Sequence, residues 1–259
     1  MIRFSVLASS SRGNATVISG GGTHVLVDTG ISALRIRKGL AECGLTDAQL
    51  SGVFFTHEHH DHVCGLGVLG KKRSLPLYCS RYLARDLRGM APNASFTYLE
   101  PGQPVQVGAI TVTPFCVSHD AADPLGYVFE CDGVRLGYVT DTGIIMRGMP
   151  ELLAGVQGLY LESNYDPEML EYSGRPPELI SRISGRWGHL SNGQACDFIR
   201  TIGHAGLQHL VLAHISPECN TPAKATAAMR ATLDELQLPT TLHCAAMAER
   251  LDWVELRHA

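Results

Sequence analysis

From Thr56 the chain reads Thr-His-Glu-His-His-Asp-His, which puts His57, His59, Asp61 and His62 within six residues. Neutral imidazoles and a carboxylate are ligands for zinc, manganese or iron. So short a loop fans its side chains to different sides, so a single ion cannot easily take all four, whereas two adjacent ions can. Further ligand types stand far apart in the sequence, each behind an apolar run. His24-Val25-Leu26-Val27 ends in Asp28, Thr113 to Ser118 in His119, Gly137 to Thr140 in Asp141, Leu159-Tyr160-Leu161 in Glu162, and Leu210 to Ala213 in His214. Alone, such a histidine is more often a hydrogen-bonded structural residue, and an aspartate before Thr-Gly a turn residue. Together, behind a His-rich loop, they describe a metal centre.

For these residues to meet, the apolar runs must be strands of packed sheets whose ends share one rim. Strands are expected over 3–8, 15–19, 24–27, 53–56, 104–107, 110–117, 125–130, 134–139, 158–161, 209–213, 240–243 and 250–256. Helical spacing covers 33–43, 63–72, 81–90, 176–183, 192–202 and 223–236. Gly20-Gly21-Gly22, Gly108-Ala109 and Asp132-Gly133 supply hairpin turns, the last a strong signal. The class is α/β, or α+β.

The chain has 259 residues and no linker or low-complexity segment, so one domain over 1–259 is expected. A formal charge of −4 advertises no polyanionic partner, and a nucleic-acid role would need a local basic surface. None of the eight cysteines forms a C-x-x-C pair, and the start, Met1-Ile2-Arg3-Phe4, does not read as a secretory signal. Buried reduced thiols and a cytoplasmic setting are therefore expected. No apolar run reaches the roughly 18 residues of a membrane span. The oligomeric state is not legible.

The H-x-H-x-D-H motif, the later His119, Asp141 and His214, and their order resemble the metallo-β-lactamase superfamily along almost the whole chain. The resemblance implies an αββα sandwich of two central mixed sheets flanked by helices, with the site at one edge. It implies two divalent ions, zinc or manganese with iron possible: His57, His59 and His119 on one, Asp61, His62 and His214 on the other, Asp141 bridging. Asp28 would orient the His-rich loop. Two ions about 3.5–4 Å apart can hold a bridging hydroxide that attacks carbonyl carbon or phosphorus.

Four further stretches resemble the YycJ-type (WalJ-type) branch of that superfamily: the opening Ser9-Ser10-Ser11-Arg12-Gly13-Asn14-Ala15, then Leu161-Glu162-Ser163-Asn164-Tyr165-Asp166, then Gly188-His189-Leu190-Ser191-Asn192, then Leu212 to Asn220. That branch is similar to the β-CASP nucleases without their inserted domain, and implies a 5′→3′ DNA exonuclease. Glu162 would orient His189, and His189 would contact the scissile phosphate or protonate the leaving oxygen. Ser10, Arg12, Tyr165 and Cys219 depart from the branch's pattern. Arg12, Asn14, Ser191 and Asn192 are candidate phosphate contacts, and Lys71-Lys72-Arg73, Arg175, Arg182 and Arg186 could extend a basic rim for sequence-independent binding of DNA. A small-molecule hydrolase of the same fold (thioesterase or lactonase) and a non-enzymatic metal sensor or scaffold are the competing readings.

Overall fold

The computed structural model describes residues 1–71 and 75–258. Its strands form two mixed seven-stranded sheets. The first has the order β14 (Val254–Leu256), β1 (Ile2–Ala8), β2 (Ala15–Gly20), β3 (Thr23–Val27), β4 (Gly52–Phe54), β5 (Pro76–Cys79), β6 (Ser95–Tyr98). The second has the order β13 (Thr241–Cys244), β12 (His209–Ala213), β11 (Gly158–Glu162), β10 (Val134–Val139), β9 (Leu125–Cys131), β8 (Ile110–Cys116), β7 (Val105–Val107). Each sheet follows one plan. An antiparallel meander comes first, through β3 or β10, and parallel strands then continue to β6 or β13.

Parallel strands need crossovers, and the crossover helices cover the outer faces. Strand side chains alternate accordingly. Val25 and Val27 face the other sheet while Leu26 faces outward, and Tyr160 faces inward while Leu159 and Leu161 face outward. The inner core joins Phe4, Phe54 and Val25 of the first sheet to Tyr127, Phe129 and Val211 of the second. Outside the first sheet pack α1 (Ala33–Glu42), α3 (Leu66–Leu69) and α4 (Leu83–Met90). Outside the second pack α5 (Met149–Leu153), α8 (Asn192–Ile202) and α9 (Pro222–Glu235). The layers are therefore helix, sheet, sheet, helix, as expected.

Several elements differ from the sequence reading. The helix expected over 63–72 is two short turns, α2 (His60–Val63) and α3. Gly65 separates them because its N–H donates to the Thr29 carbonyl at 2.8 Å, and a Cβ there would lie 2.2 Å from the Ile31 oxygen. Lys72 and Arg73 of the expected basic run fall outside the described residues. Strand β5 was not expected; Pro76 stands at its first position, where a missing N–H is tolerated. The strand expected over 250–256 is only β14, because it pairs with β1 over Ile2 to Phe4 alone. Helices α2, α5 and α6 (Pro167–Glu171) have four or five residues, too few to show a helical period. Helix α7 (Pro177–Ser184) lies where expected.

Candidate metal centre

The strand ends converge as the sequence required. Asp28 follows β3, His57 follows β4, His119 follows β8, Asp141 follows β10, Glu162 closes β11 and His214 follows β12. Three of these leave the strand in the left-handed region: φ is 58° at Asp28, 51° at Asp141 and 52° at His214. That conformation is costly for a residue with a Cβ, and aspartate tolerates it better than most. Each strand thus stops at the rim and turns its side chain inward, a local strain held by the surrounding packing.

The His-rich loop is fixed from below. Buried Asp28 accepts from the Thr56 N–H and Thr56 hydroxyl, both at 2.9 Å, and from His62 Nδ1 at 2.8 Å. The last bond leaves His62 Nε2 turned toward Asp61 Oδ2 and Asp141 Oδ2, each 3.4 Å away. Asn14, also buried, has its Nδ2 3.1 Å from His62 Nε2 and 3.4 Å from Asp61 Oδ2. Its backbone N–H caps the Asp61 carbonyl at 2.9 Å. Glu58 accepts from the Ala122 N–H at 2.9 Å, tying the loop to the segment after β8. His60, which spacing left without a ligand role, is exposed.

Around this loop the ligand atoms close in. His119 donates Nδ1–H to the Gly188 carbonyl at 3.0 Å, so its Nε2 faces His59 Nδ1 at 3.2 Å. Asp141 sits centrally, its carboxylate 3.4 Å from His62, 3.8 Å from His119, and 3.4 Å from His214. His57, His59 and His119 offer ligand atoms within 4.8 Å of one another, as do Asp61, His62 and His214, and also His57, His62 and Asp141. A fourth group joins Asp141, Glu162, His189 and His214. His57 Nε2 is buried with no hydrogen-bond partner among the described residues. An orphaned buried imidazole nitrogen facing such a set fits a divalent ion of the zinc, manganese or iron kind.

The clustered imidazoles and carboxylates shift one another's proton affinities. Burial alone would lower the pKa of His214, but Asp141, Asp61 and Glu162 outweigh it and raise the value to about 10. His62 likewise stands well above the ordinary value, because Asp141, Asp28 and Asp61 overcome its burial. His57 goes the other way: burial, reinforced by His62, holds it well below. Burial pushes Asp141 and Asp61 up, yet the surrounding histidines hold both carboxylates far below their usual range.

Glu162 and His189 form a pair at the far wall. Glu162 is fully buried and uses both oxygens. Oε1 accepts from His189 Nδ1 at 2.7 Å and His214 Nδ1 at 2.9 Å, and Oε2 accepts from the N–H groups of Thr142 and Leu190, each at 3.1 Å. The His189 side chain keeps 19 % of its surface exposed and lies 3.5 Å from Asp141. Its Nε2 has no hydrogen-bond partner among the described residues.

The proposed phosphate contacts scatter. Asn14 is committed to Asp61 and His62. Ser191 caps α8, its hydroxyl accepting from the Gln194 N–H. Asn192 is buried, bonded to Ser163 at 2.6 Å and Asn220 at 2.8 Å. Arg12 stays exposed, but Glu218 bridges it at 2.6 Å to Arg175 at 3.2 Å. Arg182 pairs with Asp120 at 2.5 Å. Arg186 has no carboxylate partner among the described residues. The sequence reading gave no role to Asn164, whose Nδ2 donates to the His214 carbonyl at 2.7 Å, or to Asp120, 3.5 Å from His119. Asn164 lies within the quoted Leu161–Asp166 stretch; Asp120 gave no signal beyond following His119.

A family model described as "Beta-lactamase superfamily domain" matches residues 23–215. The chain is 33 % identical over 237 residues to the exodeoxyribonuclease YycJ of Bacillus anthracis, covering 90 % of each. It is 33 % identical over 224 residues to the exodeoxyribonuclease WalJ of Streptococcus pneumoniae, covering 84 % of this chain and 83 % of that one. In structure it is similar to the metallo-beta-lactamase fold protein YhfI of Bacillus subtilis, with a TM-score of 0.74 and 16 % identity over 97 % of this chain and all of that one.

Proposed function

Because the chain belongs to the beta-lactamase superfamily, beside the YycJ and WalJ proteins, we propose that it is a metal-dependent phosphodiesterase that shortens DNA from the 5′ end. The observation that carries this reading is the His189–Glu162 pair, a proton donor anchored at 2.7 Å against a ready-made cluster of metal ligands. The two named relatives are exodeoxyribonucleases and are matched along most of their length, which supports DNA as the substrate.

In this reading His57, His59 and His119 would hold one divalent ion and Asp61, His62 and His214 a second, with Asp141 within reach of both sets. Such ions supply an activated water and neutralise charge on the phosphate. The remaining work falls to the chain. Asp28 fixes the tautomer and direction of His62, and Asn14 holds Asp61. Glu162 accepts Nδ1–H of His189 at 2.7 Å and so fixes the direction of the ring, leaving Nε2 free to face the departing sugar oxygen. The imidazole and carboxylate donor set admits zinc or manganese, and iron as well. DNA would be engaged without sequence preference. The eight free cysteines support a reducing, cytoplasmic setting, although Cys64 and Cys116 are exposed rather than buried. The inner core, which takes Ile2 and Leu256 together, supports one domain over 1–259. Among the described residues no helix is long and apolar enough to cross a membrane.

The test uses protein reconstituted separately with manganese and with zinc. It is given 5′-phosphorylated and 5′-hydroxyl DNA, single- and double-stranded, beside an Asp61→Ala control. Stepwise shortening from the 5′ end that vanishes in the control is the expected result. Intact DNA with either metal, in protein that holds two ions, would overturn the proposal in favour of a small ester, thioester or lactone.

A further inference from the structure

We infer that Trp187 is a stacking platform for an unpaired nucleobase at the end of the strand being cut, with Arg186 beside it for the adjoining phosphate; this rests on the DNA reading above. Trp187 keeps 58 % of its surface exposed, unusual for the largest side chain. Its backbone, by contrast, is clamped by bonds to the segment that carries His119 and to α7. The Trp187 carbonyl accepts from the N–H of Asp120, the residue after His119, at 3.1 Å. The Arg186 carbonyl accepts from the Ser118 hydroxyl at 2.9 Å. Gly188 gives its carbonyl to His119 at 3.0 Å, and the His189 N–H donates to Ile183 at 2.9 Å. The fit is close: a Cβ on Gly143 would lie 2.4 Å from the Arg186 oxygen, and one on Gly188 would lie 2.1 Å from the Ile183 oxygen.

A rigid backbone thus presents an open indole two residues from His189. If Trp187 served only to pack, its ring would be covered; here it faces solvent, on a segment whose main-chain bonds orient the site. The Arg186 guanidinium lies 5.9 Å from the indole centroid and lacks a carboxylate partner among the described residues, so a cation and a π-face are offered together. Aromatic rings with neighbouring arginines bind successive nucleotides of single strands without sequence preference, because every base has a π-face. A terminal base parked on Trp187 would register the first phosphodiester against His189.

Only two tryptophans occur, and Trp253 lies under Arg3 with its indole N–H donating to the Cys43 carbonyl, so fluorescence can isolate Trp187. The experiment titrates metal-loaded Trp253→Phe protein with 5′-phosphorylated oligonucleotides protected by terminal phosphorothioates. One carries a normal 5′ base and one an abasic 5′ nucleotide, and binding is followed separately by anisotropy. We expect quenching by the first and little by the second. We also expect KM for unprotected DNA to rise roughly tenfold in Trp187→Ala, with kcat changed far less, and to recover in Trp187→Phe; tenfold corresponds to about 1.4 kcal/mol. Binding and shortening of DNA with no quenching, or equal quenching by the abasic end, overturns the inference and leaves the nuclease reading standing. An unchanged KM in Trp187→Ala overturns it too. Absence of both binding and cleavage overturns both.

Discussion

Glu162 receives four hydrogen bonds on two oxygens inside the protein, and every one of the donors is fixed by its own backbone or ring. An amide there must turn N–H groups toward N–H groups. Glu162→Gln should therefore destabilise the fold by about 1–3 kcal/mol besides slowing turnover, read from chemical unfolding and from DNA shortening. His189→Asn is the cleaner variant, because His189 sits at the edge of the cluster. It should lower kcat by about 10²–10⁴-fold while elemental analysis still finds the wild-type metal content. Loss of metal together with activity would make His189 a ligand instead. The cysteines give an independent check of burial. Cys79 is pushed up to about 12 by burial, so at pH 8 a thiol reagent should modify Cys64 and Cys116 first and reach Cys79 only after unfolding, as followed by mass spectrometry.

Loops, more than strands, set the centre's geometry. The opening loop, the loop after β3 and the His-rich loop are knitted by Asn14 N–H to Asp61 O at 2.9 Å and Gly30 N–H to Asn14 O at 2.7 Å. A Cβ on Gly30 would fall 1.5 Å from the Asp61 carbonyl oxygen, whereas one on Gly67 meets nothing closer than 3.7 Å. Gly30→Ala should thus cost about 3 kcal/mol or more and strip metal, with Gly67→Ala near wild type, in paired thermal melts and metal assays. This is also where the sequence stopped being legible. Asp28, His119, Asp141, Glu162 and His214 could be read from chain order because each ends an apolar run, and period-2 runs are visible. That Asp28, Asp141 and His214 turn with positive φ could not, since nothing in Val27-Asp28-Thr29 distinguishes that turn from another. The break in the expected 63–72 helix needed knowledge of the loop it leans on. Asn192 reads in sequence as available for phosphate, but Ser163 and Asn220, distant along the chain, occupy its amide oxygen. The exposure of Trp187 has no signature in the sequence, because a lone tryptophan before Gly-His reads equally well as core.

At the scale of the whole molecule, the charged rim and the opposite end respond to different variables. Ligands that bind only the folded state stabilise it by mass action, about 4.1 kcal/mol at a thousandfold excess over Kd. Chelation should therefore lower Tm by about 10 °C, and Asp61→Ala should shrink that difference. Far from the rim, His209 Nδ1 and His243 Nε2 lie 3.0 Å apart in a cleft of about 620 Å³ lined also by Trp253, Glu255 and Arg257. Burial lowers the pKa of both, and for His243 the neighbouring His209 adds to it. The unfolded chain takes up these protons near pH 6.5 and the folded one only below it, so stability is lost as pH falls through about 6.5. The urea midpoint should drop between pH 7.5 and 5.5, and by less in His243→Asn.

The outermost strand beside β1 is β14, drawn from residues 254–256. On the ribosome this means that β1 waits, one edge unpaired, until a segment about 250 residues further along has been made. The His-rich loop stands about 150 residues before His214 in chain order. A nascent chain can display four metal-binding side chains long before it can hold two ions properly. Capture of two ions therefore has to wait for His214, however early the His-rich loop is made.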